Sequence, residues 1–128
     1  MDKLGDNIHI QIPASEEMAD IIRLATTAIA NRAGFDLDQS DDINTAMEEV
    51  FRYYCTSCSM DGTEVKLDFV IENDSLRVRA GDSLNSLAEN NSKIGRYCRF
   101  ILDKFTDSFH EVSEQGRYAI IIEKTSDL

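Results

Sequence analysis

Glu49 and Tyr53 stand one helical turn apart in the segment INTAMEEVFRYYCTSC, Ile43 to Cys58. A carboxylate there can serve as a general base, and a phenol can fill a pocket or stack on a ligand. Ile43, Ala46, Met47, Val50 and Tyr54 recur at helical spacing, so the segment reads as a helix with Glu49 and Tyr53 on a rim beside the buried stripe. The plainer reading of Glu48–Glu49 is a solvated helix face, and that of Tyr53 is core. Cys55 and Cys58 form a CxxC, the spacing of a redox motif or half a zinc site. No second CxxC exists and His9 and His110 are distant, which favours packing thiols. Arg77 and Arg79, with Arg96 and Arg99, suit an anionic ligand or partner, or pairing with the chain's own carboxylates. No Ser/His/Asp or Cys/His nucleophilic set can be argued from spacing.

The elements that position these residues follow from periodicity. Asn7 to Ile12 alternates as a strand ended by Pro13. Ser15 is the expected cap of a helix with stripe Met18, Ile21, Ile22, Ala25, Ala28 and Ile29, stopped at Gly34. Phe35 to Gln39 reads as a linker, with Ser40 or a nearby aspartate capping the helix that carries Glu49. After the Asp61-Gly62 turn, Val65 to Ile71 and Leu76 to Ala80 form an antiparallel hairpin. Gly81 to Lys93 reads as a loop with at most one helical turn. Ile94, Cys98, Ile101, Leu102 and Phe105 mark a third helix. Phe109 to Ser113 and Arg117 to Lys124 flank the Gln115-Gly116 turn, and a frayed tail occupies 125–128. The sum is an α+β chain, a two-layer sandwich with an antiparallel or mixed sheet and helices on one face.

One domain spanning 1–128 is expected from 128 residues with 42% hydrophobic content. Thirteen basic against twenty-four acidic residues give −11, a charge that repels phosphate backbones and anionic lipid, so neither nucleic acid nor membrane is an expected partner. Apolar runs are too short for a bilayer span and Met1 to Asp6 lacks a signal-peptide build. A cytoplasmic location with reduced thiols is the expectation.

The element order and three stretches, IPASEEMADIIRLATTAIANRAGFDLDQSDDINTAMEEV, VRAGDSLN and GRYCRFILDKF, resemble the gyrase/histidine-kinase-type ATPase superfamily (Bergerat fold), within it the bacterial anti-sigma-factor serine kinases of the RsbW and SpoIIAB kind. The resemblance implies a histidine-kinase-like ATPase domain that phosphorylates an antagonist's serine and sequesters a sigma factor. It implies a glutamate base at Glu49 and, one turn on, an asparagine holding magnesium against ATP, where this chain has Tyr53. A phenol is a poor magnesium ligand. It implies an adenine-reading aspartate, where the chain has Ala80 followed by Gly81 and Asp82. It implies a glycine-rich phosphate turn, onto which Gly95, Arg96 and Tyr97 align with the second glycine lost at Tyr97.

The expected function is therefore an anti-sigma-factor-like regulator binding a sigma factor or anti-anti-sigma factor, without efficient kinase activity and without a bound cofactor, and able to form a homodimer. Two alternatives are an atypical serine kinase with a rebuilt Mg-ATP site around Glu49, and a small-ligand sensor in a remodelled pocket.

Overall fold

A computed structural model of the chain describes residues 6–58, 61–84, 87 and 91–126. Among them are five strands, β1 Asp6–Pro13, β2 Glu64–Glu72, β3 Ser75–Asp82, β4 Ser108–Glu114 and β5 Arg117–Thr125. Three helices, α1 Ala19–Arg32, α2 Leu37–Ser57 and α3 Lys93–Phe105, complete the fold, with a 3-10 turn at Glu16–Met18 ahead of α1. The strands pair antiparallel throughout in the order β1-β2-β3-β5-β4. This α+β architecture is consistent with a histidine-kinase-like ATPase domain.

Alternation decides which face of the sheet is covered. Val65, Leu67, Phe69 and Ile71 of β2 and Leu76, Val78 and Ala80 of β3 are buried, while Lys66, Asp68, Arg77 and Arg79 between them are exposed. One face therefore packs under the helices and the other meets solvent. Both hairpin turns rest on left-handed residues, Asn73 and Asp74 at φ 47° and 65°, and Gln115 and Gly116 at φ 54° and 75°. Turns with both central residues at positive φ match the twist of the strands they join.

Several expectations are corrected here. The Ser15 side chain accepts no capping bond. In α1 the buried residues are Ile22, Thr26, Ile29 and Ala30, with Ile21 and Ala28 exposed. Thr26 belongs to the buried face, which turns the stripe around the helix. The second helix starts at Leu37, inside the supposed linker, because Asp36 and Gln39 form a reciprocal capping box: Gln39 N–H donates to Asp36 Oδ1 at 2.8 Å and Asp36 N–H to Gln39 Oε1 at 3.2 Å. Ser40 lies buried within that helix. Strand β3 runs on to Asp82 and α3 begins at Lys93, shortening the loop at both ends; residues 85–86 and 88–90 of it lie outside the described residues. At the other end of the chain, Thr125 pairs with Ser75 and Ser126 N–H donates to Asp74 O at 2.8 Å, so order extends into the tail.

The link between α1 and α2 closes through Gly34. At φ 86° it lets Gly34 N–H reach Asn31 O and Phe35 N–H reach Ala30 O, both at 3.1 Å, which satisfies the last carbonyls of α1. A Cβ would find room there, 3.6 Å from Asp74 Oδ1, so the cost of Gly34→Ala is backbone strain. A loss of about 1–2 kcal/mol in urea denaturation is expected.

Candidate functional site

The seam between α2, α3 and the inner face of β3 and β5 collects most of the chemistry singled out in the sequence. Tyr53 and Tyr54 are at 1% and 0% exposure, their rings tilted at 56° with centroids 6.1 Å apart. Tyr54 points under the sheet, where its hydroxyl donates to Ala80 O at 3.1 Å. Burial first, then the nearby Asp82 carboxylate, raises its ionisation far above that of a free phenol.

Around Tyr53 runs a polar network that the sequence did not disclose. Arg99 on α3 grips Glu111 on β4 with two bonds, Nε to Oε2 at 2.8 Å and Nη2 to Oε1 at 2.9 Å, the fork geometry that suits guanidinium to carboxylate. Tyr118 on β5 donates to Glu111 Oε1 at 2.5 Å. The Tyr53 hydroxyl lies beside both Tyr118 and Arg99, and burial is the main cause raising its ionisation. Arg99 in turn holds the Glu111 carboxyl below its ordinary range. Glu111 and Tyr118 face inward because β4–β5 register sets Glu111 against Ile120 and Ser113 against Tyr118. The one available signal was a glutamate on the inward-facing phase of a strand.

Glu49 sits in the same seam in a different state. It is 8% exposed, its Oε2 has no hydrogen-bond partner among the described residues, and Arg52 Nη1 approaches Oε1 only to 3.9 Å. Desolvation raises its proton affinity, partly opposed by Arg52. A raised carboxyl binds its proton more readily in the folded chain, so its ionised form weakens the fold at neutral pH and the penalty fades as pH falls. Glu49→Gln is expected to gain up to about 1 kcal/mol at pH 7, with the advantage closing as the parent carboxyl protonates near its ordinary 4.5 and above. Chemical denaturation at both pH values reads the difference.

The remaining positions divide. Ala80 and Asp82 share the inward face of β3, with Asp82 one pleat beyond Ala80 and 3% exposed. Gly81, between them, faces the opposite side of the sheet. Gly95 is buried at the start of α3, and its N–H is taken by Ser92 Oγ at 3.1 Å. Tyr97 is 49% exposed, its ring stacked on Phe100 with centroids 6.4 Å apart. Arg96 donates to Asn91 O at 2.6 Å. Arg99, a suggested anion binder, is committed to Glu111. Cys55 is half-buried and Cys98 buried, and their thiol ionisation is pushed up to about 11 and about 12, chiefly by desolvation, a setting opposite to that of reactive thiolates. Among the described residues no group of three or more His, Cys, Asp or Glu is placed to hold a metal ion. No described helix is long and apolar enough to cross a membrane.

No family profile matches the chain. Individual relatives do. The serine-protein kinase RsbW of Listeria monocytogenes (serotype 4a, strain HCC23) is 31% identical over 101 residues, covering 76% of this chain and 64% of the relative. The serine-protein kinase RsbW of Bacillus cereus (strain AH187) is 33% identical over 99 residues, 72% of this chain and 59% of the relative. The chain belongs to an RsbW-like family. That of Listeria innocua (strain CLIP 11262) is 31% identical over 102 residues. The match spans a little under two thirds of these RsbW relatives' own length.

Proposed function

We propose that this RsbW-like chain regulates a sigma factor by binding protein partners, a sigma factor or an anti-anti-sigma factor, without efficient transfer of phosphate from ATP. The observation that carries the reading is Tyr53. Where the resemblance places a magnesium-holding asparagine, the chain has a fully buried phenol wedged against Tyr54 and the Arg99–Glu111–Tyr118 network. Two further features support it: Ala80 offers no side-chain acceptor for adenine, its carbonyl already receiving Tyr54, and the Gly95 N–H is spent on the Ser92 cap. These residues do not fit a magnesium nucleotide, which needs hard oxygen ligands and free backbone donors at a helix start. Partner binding falls to the helical layer, where Ile21 and Leu24 on α1 and Tyr97 and Phe100 on α3 are exposed apolar side chains. The same layer offers a surface for a second copy of the chain.

A serine-kinase reading is favoured by one observation of its own, the buried carboxylates Glu49 and Asp82, a base and an adenine reader displaced by one pleat. Mixing the chain with the sigma and anti-anti-sigma proteins of its own genome, with and without γ-labelled ATP, separates the two. A complex on size exclusion with no label on the anti-anti-sigma protein is the expected result; label on its serine overturns the proposal.

A further inference from the structure

Among the described residues, the solvent face of the sheet carries cations that form no ion pair. Strand alternation puts Lys66 and Asp68 of β2, Arg79 of β3 and Arg117 of β5 on this face, with Lys66 opposite Gly81 and Asp68 opposite Arg79. Asp68 is engaged elsewhere, its Oδ1 lying 2.6 Å from His9 Nδ1. None of Lys66, Arg79 and Arg117 forms an ion pair among the described residues, in a chain with twenty-four carboxylates. The three border a half-open depression of about 190 Å³ that Gly81, Tyr118 and Ala119 also line, together with two carboxylate residues, Asp68 and Asp82, so the cations outnumber the carboxylates three to two. Gly81 adds no side chain to it, and a Cβ there would meet only Tyr118 O, at 3.9 Å.

We infer that this face docks an acidic, extended segment of a partner protein, its carboxylates meeting Lys66, Arg79 and Arg117 while its backbone passes over Gly81 and Ala119. Span and solvation select this occupant. Neighbouring strands lie about 4.8 Å apart, so cations on β2, β3 and β5 spread over roughly 10 Å. One oxyanion cannot bridge that width, whereas same-side residues of an extended chain recur about every 6.6 Å. Each cation is exposed, and a single exposed ion contact contributes little; several carboxylates on one segment sum these contacts and are drawn in by the local positive field. The chain's net charge of −11 opposes non-specific association of such a segment with the molecule as a whole. The site lies on the side of the sheet opposite the helical layer, so it stands or falls independently of the proposed function.

Fluorescence anisotropy with a fluorescein-labelled decapeptide of alternating glutamate and alanine tests the inference. Saturable binding is expected at low salt, weakened about tenfold or more by R79E/R117E and by raising salt from about 20 to about 200 mM. The helical-side reversal K93E/K104E leaves it in place. Should the double reversal melt early, R79Q/R117Q carries the same comparison with a smaller loss. Absence of binding, equal loss in K93E/K104E, or indifference to R79E/R117E overturns the inference. So does displacement of the peptide by inorganic phosphate at equal charge concentration, which would mark a lone-oxyanion site. A parent dimer in light scattering that R79E/R117E dissolves would assign the face to a second copy and overturn it equally.

Discussion

Tyr53→Ala is expected to destabilise the chain by about 4 kcal/mol, the range for emptying a fully buried aromatic site. Against a typical stability of about 5–15 kcal/mol, that is a large share, and the melting temperature should fall by more than about 10 °C. The size follows from the side chain's setting. Its ring is 1% exposed and tilted against Tyr54, and its hydroxyl lies in the Arg99–Glu111–Tyr118 network. Tyr53→Phe keeps the ring and should cost only about 1 kcal/mol. A loss under about 1 kcal/mol for Tyr53→Ala, by urea denaturation, would mean that the ring sits loosely on a rim and leaves the seam open.

Arg99→Ala is expected to cost about 3 kcal/mol at neutral pH, since it strands Glu111 in a largely buried place with Tyr118 as the neighbour still bonded to it. The side chains of Arg99 and Glu111 are 25% and 17% exposed, which puts the figure at the lower end for a buried pair. The sign of its pH dependence is fixed by Glu111. Its carboxyl is held below the ordinary 4.5 in the folded chain, first by the Arg99 hydrogen bond, so the stabilisation is present above that value and is lost as pH falls through the lowered one. The gap between parent and Arg99→Ala should therefore narrow at acid pH. A double-mutant cycle with Glu111→Ala isolates the pair; coupling below about 0.5 kcal/mol would show that it contributes little.

What could be read in the sequence was whatever depended on short-range periodicity. The alternation of Val65 to Ile71 and Leu76 to Ala80 specified a one-sided sheet, and the turn at Gln115-Gly116 specified a hairpin. Helix starts were less legible, because a cap is a matter of side-chain geometry: Ser15 has the right chemistry and makes no bond, while Asp36 and Gln39 close a box inside what resembled a linker. The α1 stripe was misplaced because Thr26, polar by type, is fully buried by position. Least legible was the seam. Tyr53, Arg99, Glu111 and Tyr118 lie on four different elements, and only the β4–β5 register and the packing of α3 on α2 bring them together. Asp82 illustrates the same limit, since its place on the inward face depends on β3 continuing past Ala80.

Under the proposed function, the seam would let the family frame persist without a bound nucleotide. Removing a nucleotide from between a helix and a sheet would leave a polar cavity. On that proposal, the Tyr53 phenol and the bidentate Arg99–Glu111 pair take up this space with groups that satisfy one another, which is the condition for polar groups to remain in a core without destabilising it.

Titration calorimetry of Mg-ATP into the unmodified chain, paired with a thermal melt, tests that account most directly. The filled seam predicts no saturable heat up to millimolar nucleotide and an unchanged melting temperature. Saturable binding with a melting temperature that climbs with nucleotide, corresponding to about 2.7 kcal/mol at a hundredfold excess over Kd, would contradict it.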